Sequence, residues 1–327
     1  MNMTSKRAFS QIPTDIYKVE YPKIEEFTET QLKKMWFPKE TAPKKDIHDI
    51  LTNTSKKEKH GIFTVLKLFT KYESVIGNEY WSGRFKQIFG RHEFVRMGST
   101  FAMMELAVHM VFYNEINLLL NAHDDSFYTE WKDDPVLTER MSFIDSLIDH
   151  ENDLISLAGI TLVEGCILYS SFAFLLHFQK NGMNKIPNVV RGIDFSSQDE
   201  NLHAEAGAYC YRLLQSELQI SDEERLKNEE LIYQAVRQVI EHEDAITDKI
   251  FAYGDLESIS SAEVKIFNRN RADQCLINLG MKPLFGGVQS EINKWFYNSI
   301  NTYIQNDFFV GKGREYVRQW NKTGFVW

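Results

Sequence analysis

Turn-forming residues are scarce in this chain: 17 glycines and 7 prolines among 327 residues. That scarcity argues against many short strands and tight turns, and for long elements with few connections. Cysteine is scarcer still, with Cys166, Cys210 and Cys275 far apart and no C-x-x-C pair. Such spacing excludes a disulfide framework or a zinc ribbon and suits a reducing, cytoplasmic setting. Positive charge is not in excess, since 37 Lys and Arg against 46 Asp and Glu leave a net charge of −9. The chain therefore lacks the electrostatic footprint of a nucleic-acid binder. Its first residues, MNMTSKRAFSQIPTD, contain no apolar core of a secretion signal.

Apolar residues are plentiful, at 43% hydrophobic and 13% aromatic, enough for a large core. One run, LISLAGITLVEGCILYSSFAFLLHF at 154–178, is long enough to cross a membrane. Its Glu164 would then lie near the bilayer centre, and no Lys/Arg cluster flanks it. The better reading is a helix buried on all sides in a large bundle, with no membrane partner. Glu164 then needs a partner of its own, because a lone buried carboxylate costs several kcal/mol.

The chain divides into three stretches. Residues 1–28 read as an irregular arm, with Pro13 and Pro22 breaking any period. Residues 29–305 carry helical periodicity almost throughout, which predicts an all-α bundle. Residues 306–327 end the chain in a segment of mixed charge rich in aromatics, read as a flexible tail whose rings are kept for a partner.

Ionisable residues recur inside the apolar helices. Glu73 lies in TKYESVIG, Glu105 and His109 in MMELAVHMVFY, Glu164 in LVEGCILY, and Glu200 with His203 in QDENLH. Each has an ordinary reading when taken alone. Glu73 suits a surface position, His109 a core histidine bonded to a carbonyl, and Ser197-Gln198-Asp199-Glu200 a helix-capping box. Capping is the weaker reading of that last stretch, because the helix is expected to begin nearer Pro187. Taken together, the order is carboxylate, Glu/His, carboxylate, Glu/His. Helical bundles use that order to hold two metal ions with inward-facing ligands. Carboxylate and imidazole without thiolate suit iron or manganese.

These segments resemble the small, radical-generating subunit of class I ribonucleotide reductase, over roughly residues 29–215 and more loosely in the tail. The resemblance implies a ferritin-like helical bundle with extra helices and a dinuclear iron or manganese/iron cofactor. Its ligands would be Glu73, Glu105, His109, Glu164, Glu200 and His203, with Phe172 beside the cofactor. It also implies that Tyr113, four residues after His109, becomes the stored radical. KKMWFPKE resembles the family segment that makes Trp36 the first relay residue, with His109 and Asp199 linking it to the metals. Tyr316 in the tail would carry the radical to a large subunit, docked through that tail, where ribonucleotides are reduced. A homodimer is expected on the same ground.

Two positions depart from the family pattern. The ligand glutamate usually stands three residues before the histidine, where this chain has Leu106, with Glu105 one residue earlier. A local π-bulge would let Glu105 reach a metal; otherwise it points away and one metal lacks its usual carboxylate. Glu73 stands where many members have Asp, which resembles the subgroup with a mixed manganese–iron cofactor. Those members lack the radical tyrosine, whereas this chain keeps Tyr113. A ferritin-like oxidase or oxygenase acting on its own small substrate shares the ligands but needs neither Trp36, Asp199 nor an aromatic tail. A purely structural or metal-storing bundle leaves the ligand order unexplained.

Overall fold

Every regular element among the described residues of this computed structural model is helical; those residues are 7–298, apart from 121 and 123. Tyr316 and the tail expected at 306–327 lie outside them. Helix α1 spans Pro22–Lys34 and begins before the expected end of the arm at residue 28. Pro22 opens this helix where the sequence suggested a break, since the missing N–H has no intrahelical partner in a first turn anyway. The described part of the arm is folded against the bundle. Ser10 N–H and the Tyr21 hydroxyl both donate to the Glu217 carboxylate, at 2.8 and 2.5 Å.

Seven longer helical units follow. Helix α2 runs Lys56–Val75, continues as a π-helical stretch Ile76–Arg84 and closes with Phe85–Ile88. It starts at a capping box in which Ser55 Oγ accepts from Glu58 N–H and the Glu58 carboxylate accepts from Ser55 N–H. Helix α3 comprises His92–Met104, a π-helical turn Glu105–His109 and Met110–Leu119. Helix α4 is Pro135–Ile148. Helix α5 comprises Asp153–Leu162, a π-helical turn Val163–Ile167 and Tyr169–Leu176. Helices α6, α7 and α8 are Pro187–Leu218, Asp222–Ile250 and Ser261–Asn278. Because α6 starts at Pro187, Ser197 is well inside it, and its hydroxyl donates to the Asp194 carbonyl at 2.9 Å. It caps nothing.

Helix α5 is the axis of the structure and packs against α4, α6, α7 and α8. The stretch Asp153–Lys180 is long and apolar enough to cross a membrane, yet its apolar window lies wholly inside the protein. Burial of each Leu, Ile or Phe there contributes about 1.5–3 kcal/mol. Around this axis α2, α3 and α6 turn their inner faces toward α5. Helices α2 and α3 approach closely at Gly77, where a Cβ would stand 2.7 Å from Leu106 Cγ and 2.8 Å from Glu105 Cβ. Leu106 thus fills the notch that the glycine leaves.

Candidate metal centre

Four helices deliver six buried ionisable side chains to one place. Glu73 comes from α2, Glu105 and His109 from α3, Glu164 from α5, and Glu200 with His203 from α6; none is more than 1% exposed. They form two overlapping groups, Glu73–Glu105–His109–Glu200 and Glu105–Glu164–Glu200–His203, whose ligand atoms lie within 4.8 Å of one another. Glu105 and Glu200 belong to both groups and stand between them.

The π-helical turn Glu105–His109 places Glu105 here despite the one-residue offset. A π-helical stretch also follows Glu73 on α2, and another contains Glu164 on α5; only α6 delivers its pair from regular helix.

Distances define two similar halves. His109 Nδ1 lies 2.9 Å from Glu105 Oε2, 3.1 Å from Glu200 Oε1 and 3.8 Å from Glu73 Oε2. His203 Nδ1 lies 2.8 Å from Glu105 Oε1, 3.2 Å from Glu200 Oε2 and 3.7 Å from Glu164 Oε1. Each histidine uses its other nitrogen outward. His109 Nε2 donates to Asp199 Oδ2 at 3.0 Å, because a carboxylate only accepts. Gln31 of α1 donates its amide to Asp199 Oδ1 at 2.9 Å, so its carbonyl oxygen faces His203 Nε2 at 3.1 Å and accepts from it. Both imidazoles therefore turn Nδ1 toward the carboxylates and Nε2 outward, the orientation that a metal ligand needs.

Electrostatics show what this cluster lacks. No Lys or Arg among the described residues pairs with any of the four carboxylates; their ion-pair partners are the two histidines. Burial drives Glu73 and Glu164 well above the usual carboxylate range, reinforced by the charge of Glu105 and of Glu200 respectively. Glu105 is also desolvated, but the charges of His109 and His203 outweigh this and hold it low. Burial and the charge of Glu105 push Glu200 up, but the imidazoles of His109 and His203, at 3.1 and 3.2 Å, outweigh them and hold it low. Both imidazoles are disfavoured as cations by burial, yet Glu105 and its neighbours raise them well above 6.5. Glu73 Oε1, Glu105 Oε1, both Glu200 oxygens and His203 Nδ1 are buried without hydrogen-bond partners. Buried polar atoms are rarely left so. Two divalent cations would satisfy those atoms and neutralise four carboxylates, so the residues fit a metal pair.

The other sequence-predicted residues surround this cluster. Trp36 is buried, donates its indole N–H to Asp199 Oδ2 at 2.9 Å, and stacks on His109 with centroids 5.8 Å apart. Tyr113 is wholly buried, its ring stacked on Phe69 at 4.5 Å, and its hydroxyl has no hydrogen-bond partner. Burial, then the charge of Glu73, pushes that phenol well above its usual 10. Phe172 also stacks on Phe69, with centroids 5.2 Å apart. Two participants escaped the sequence reading. Trp81 donates to Glu164 Oε1 at 2.6 Å and lies on the same helix as Glu73, in the π-helical stretch Ile76–Arg84. Gln31 reads as an ordinary polar residue of an amphipathic helix, and only its complete burial marks it.

A bundle whose central helices bring four carboxylates and two histidines together defines a ferritin-like protein able to hold a metal pair. Residues 13–293 match the family "Ribonucleotide reductase, small chain", and the chain belongs to that family. It is 24% identical over 322 residues to a probable ribonucleoside-diphosphate reductase small subunit of Invertebrate iridescent virus 3, covering 91% of this chain and 83% of that one. It is 26% identical over 321 residues to the ribonucleoside-diphosphate reductase subunit beta of Treponema pallidum, covering 93% and 88%. The fold matches the crystal structure of dimanganese(II)-NrdF from Streptococcus sanguinis, with a TM-score of 0.77 at 22% identity over 88% of this chain and 99% of that one.

Proposed function

We propose that this chain is the radical-generating small subunit of a class I ribonucleoside-diphosphate reductase. The observation that carries this reading is the pair of ligand groups sharing Glu105 and Glu200, in a chain of this family. Glu73, Glu105 and His109 would hold one ion, Glu164 and His203 the other, with Glu105 and Glu200 available to both. Two irons, or manganese with iron, suit these hard and borderline donors, and the two manganese ions named for the S. sanguinis structure fall in the same class. When bound, the pair supplies the oxidising power of dioxygen.

Tyr113 would store the oxidising equivalent by giving one electron and its hydroxyl proton to the oxidised metal site. Phe69 and Phe112 wall its ring, which keeps water and stray reductants away. The route outward is the hydrogen-bonded series His109, Asp199, Trp36. Asp199 Oδ2 accepts from both rings, so it stabilises positive charge on either as an electron is drawn inward. Tyr316 continues the route to a large subunit that docks on the tail 306–327 and holds the nucleotide. A second copy of the chain is expected on the exposed apolar face of α3, where Met103, Val111 and Leu118 are 36–49% exposed. Three buried free cysteines suit a reducing, cytoplasmic setting.

The test is an EPR spectrum after metal-free protein receives Fe(II), or Fe(II) with Mn(II), and then O2. A tyrosyl signal that disappears in Tyr113→Phe is expected. Absence of any oxidised species with every metal mixture would overturn the reading.

A further inference from the structure

Arg140 of α4 and Arg271 of α8 lie outside the metal centre and are almost completely buried, at 1% and 2% exposed. Both point their guanidiniums at backbone of the same π-helical turn, Val163–Ile167, which carries Glu164. Arg271 Nε donates to the Gly165 carbonyl at 2.9 Å, and Arg140 Nη2 donates to the Ile167 carbonyl at 2.6 Å. A π-helical turn departs from the regular ladder, and on a helix sealed from water its carbonyls must find donors within the protein.

The two differ in how their charge is met. Arg140 pairs with the buried Glu243 at 2.8 Å, whose other oxygen accepts from Ser170 at 2.5 Å. Its guanidinium also lies over the ring of Tyr72, the residue before Glu73. Arg271 has no carboxylate within ion-pair distance among the described residues. It lies 3.8 Å over the Tyr169 ring and reaches Asn201 Oδ1 at 3.5 Å and the Tyr297 hydroxyl at 3.4 Å. An isolated charge in such surroundings is costly to keep. Gly165 and Asn201 directly follow Glu164 and Glu200, so one guanidinium touches the neighbours of two ligands on separate helices. A Cβ on Gly165 would stand 2.5 Å from Cys275 Sγ, which shows how closely α8 presses on this turn.

We propose that Arg271 and Arg140 are positioning residues for the Glu164 half of the metal centre. By holding the carbonyls of the bulged turn from outside, they fix the register that points Glu164 at Glu200 and His203. This inference rests on the dinuclear reading above. It concerns the Glu164 half, because both guanidiniums hydrogen-bond backbone carbonyls of the turn that carries Glu164.

The test is Mn(II) binding to metal-free protein, followed by the EPR signal of free Mn(II) and compared among wild type, Glu164→Gln, Arg271→Lys and Arg140→Lys. Wild type is expected to take two ions per chain. Arg271→Lys is expected to keep one tight ion and to bind the second about 10- to 100-fold more weakly, as Glu164→Gln does, the range typical when a ligand loses its support. Arg140→Lys should shift the same ion in the same direction, and it decides the matter if Arg271→Lys does not fold. Unchanged affinity for both ions in the lysine variants overturns the proposal. Equal weakening of both ions, or loss of fold in both variants, also overturns it by assigning the arginines to the fold alone. A wild type that takes no ion pair would instead sink the dinuclear reading.

Discussion

His109 and His203 face the same carboxylates through Nδ1, but their Nε2 atoms end in different chemistry. His109 donates to a carboxylate, Asp199, which also holds the Trp36 indole. His203 donates to a neutral amide, Gln31, which leads only back to Asp199. A carboxylate behind an imidazole strengthens it as a ligand and stabilises positive charge on it; an amide orients the ring and does little more. The lesson is that a site with two nearly matching halves has one connected half. Under the proposed function charge would leave past His109, while the His203 side would only hold a metal.

The largest effect is expected where the halves are joined. Glu105→Ala removes a ligand from both groups, so binding of both Mn(II) ions should fall by more than about 100-fold, read by metal content after gel filtration. Retention of two tight ions would show that Glu105 does not join them. The contrast between the halves is tested next. Trp36→Phe should leave the Tyr113 signal and metal content intact while reductase turnover with a large subunit falls at least about 100-fold. Gln31→Leu should instead weaken Mn(II) binding about tenfold, with turnover per bound metal pair preserved. If both variants cut turnover and spare metal alike, the asymmetry is broken.

The smallest effect expected is on pH dependence. In metal-free protein His109 and His203 are raised above 6.5, and Glu73 and Glu164 above 4.5. The folded state then binds more protons than the unfolded state near neutrality, so the stability from these groups is present at low pH and lost as pH rises. Glu105 and Glu200 have the opposite sign, and their contribution is lost only as pH falls below 4.5. The metal-free protein should therefore lose stability, read as a falling Tm, as pH rises above 6.5. Metal ions replace those protons, so the metal-loaded Tm should hold and the gap should widen. Parallel curves would contradict the assignment of these protons to the site.

Much of this was legible in the sequence, for a physical reason. Helical periodicity, few turns and the order of carboxylates and histidines are local patterns, and they predicted the all-α bundle and the six side chains that meet in it. The register of Glu105 was legible only as a choice, because a π-helical turn depends on packing such as Leu106 against Gly77. Gln31, Trp81, Arg140 and Arg271 were not legible. Gln31 meets its partners 168 and 172 residues away, and Arg271 meets Gly165 106 residues away. No local periodicity marks a contact closed over that distance. Pro22 misled for the opposite reason, since a proline ends one helix and starts another with the same geometry.

The burial of α5 also sets the order in which the molecule can be made. Its apolar surface is complete once residue 180 has been synthesised, but α6, α7 and α8, which cover much of it, are still to come. The nascent chain thus carries a membrane-like segment with no lasting cover until nearly the whole sequence has been translated. During that interval the segment is a site for chaperone capture and for aggregation with other growing chains. A centre that places its metals deep within one helix assembly thereby ties its own assembly to the last third of the chain.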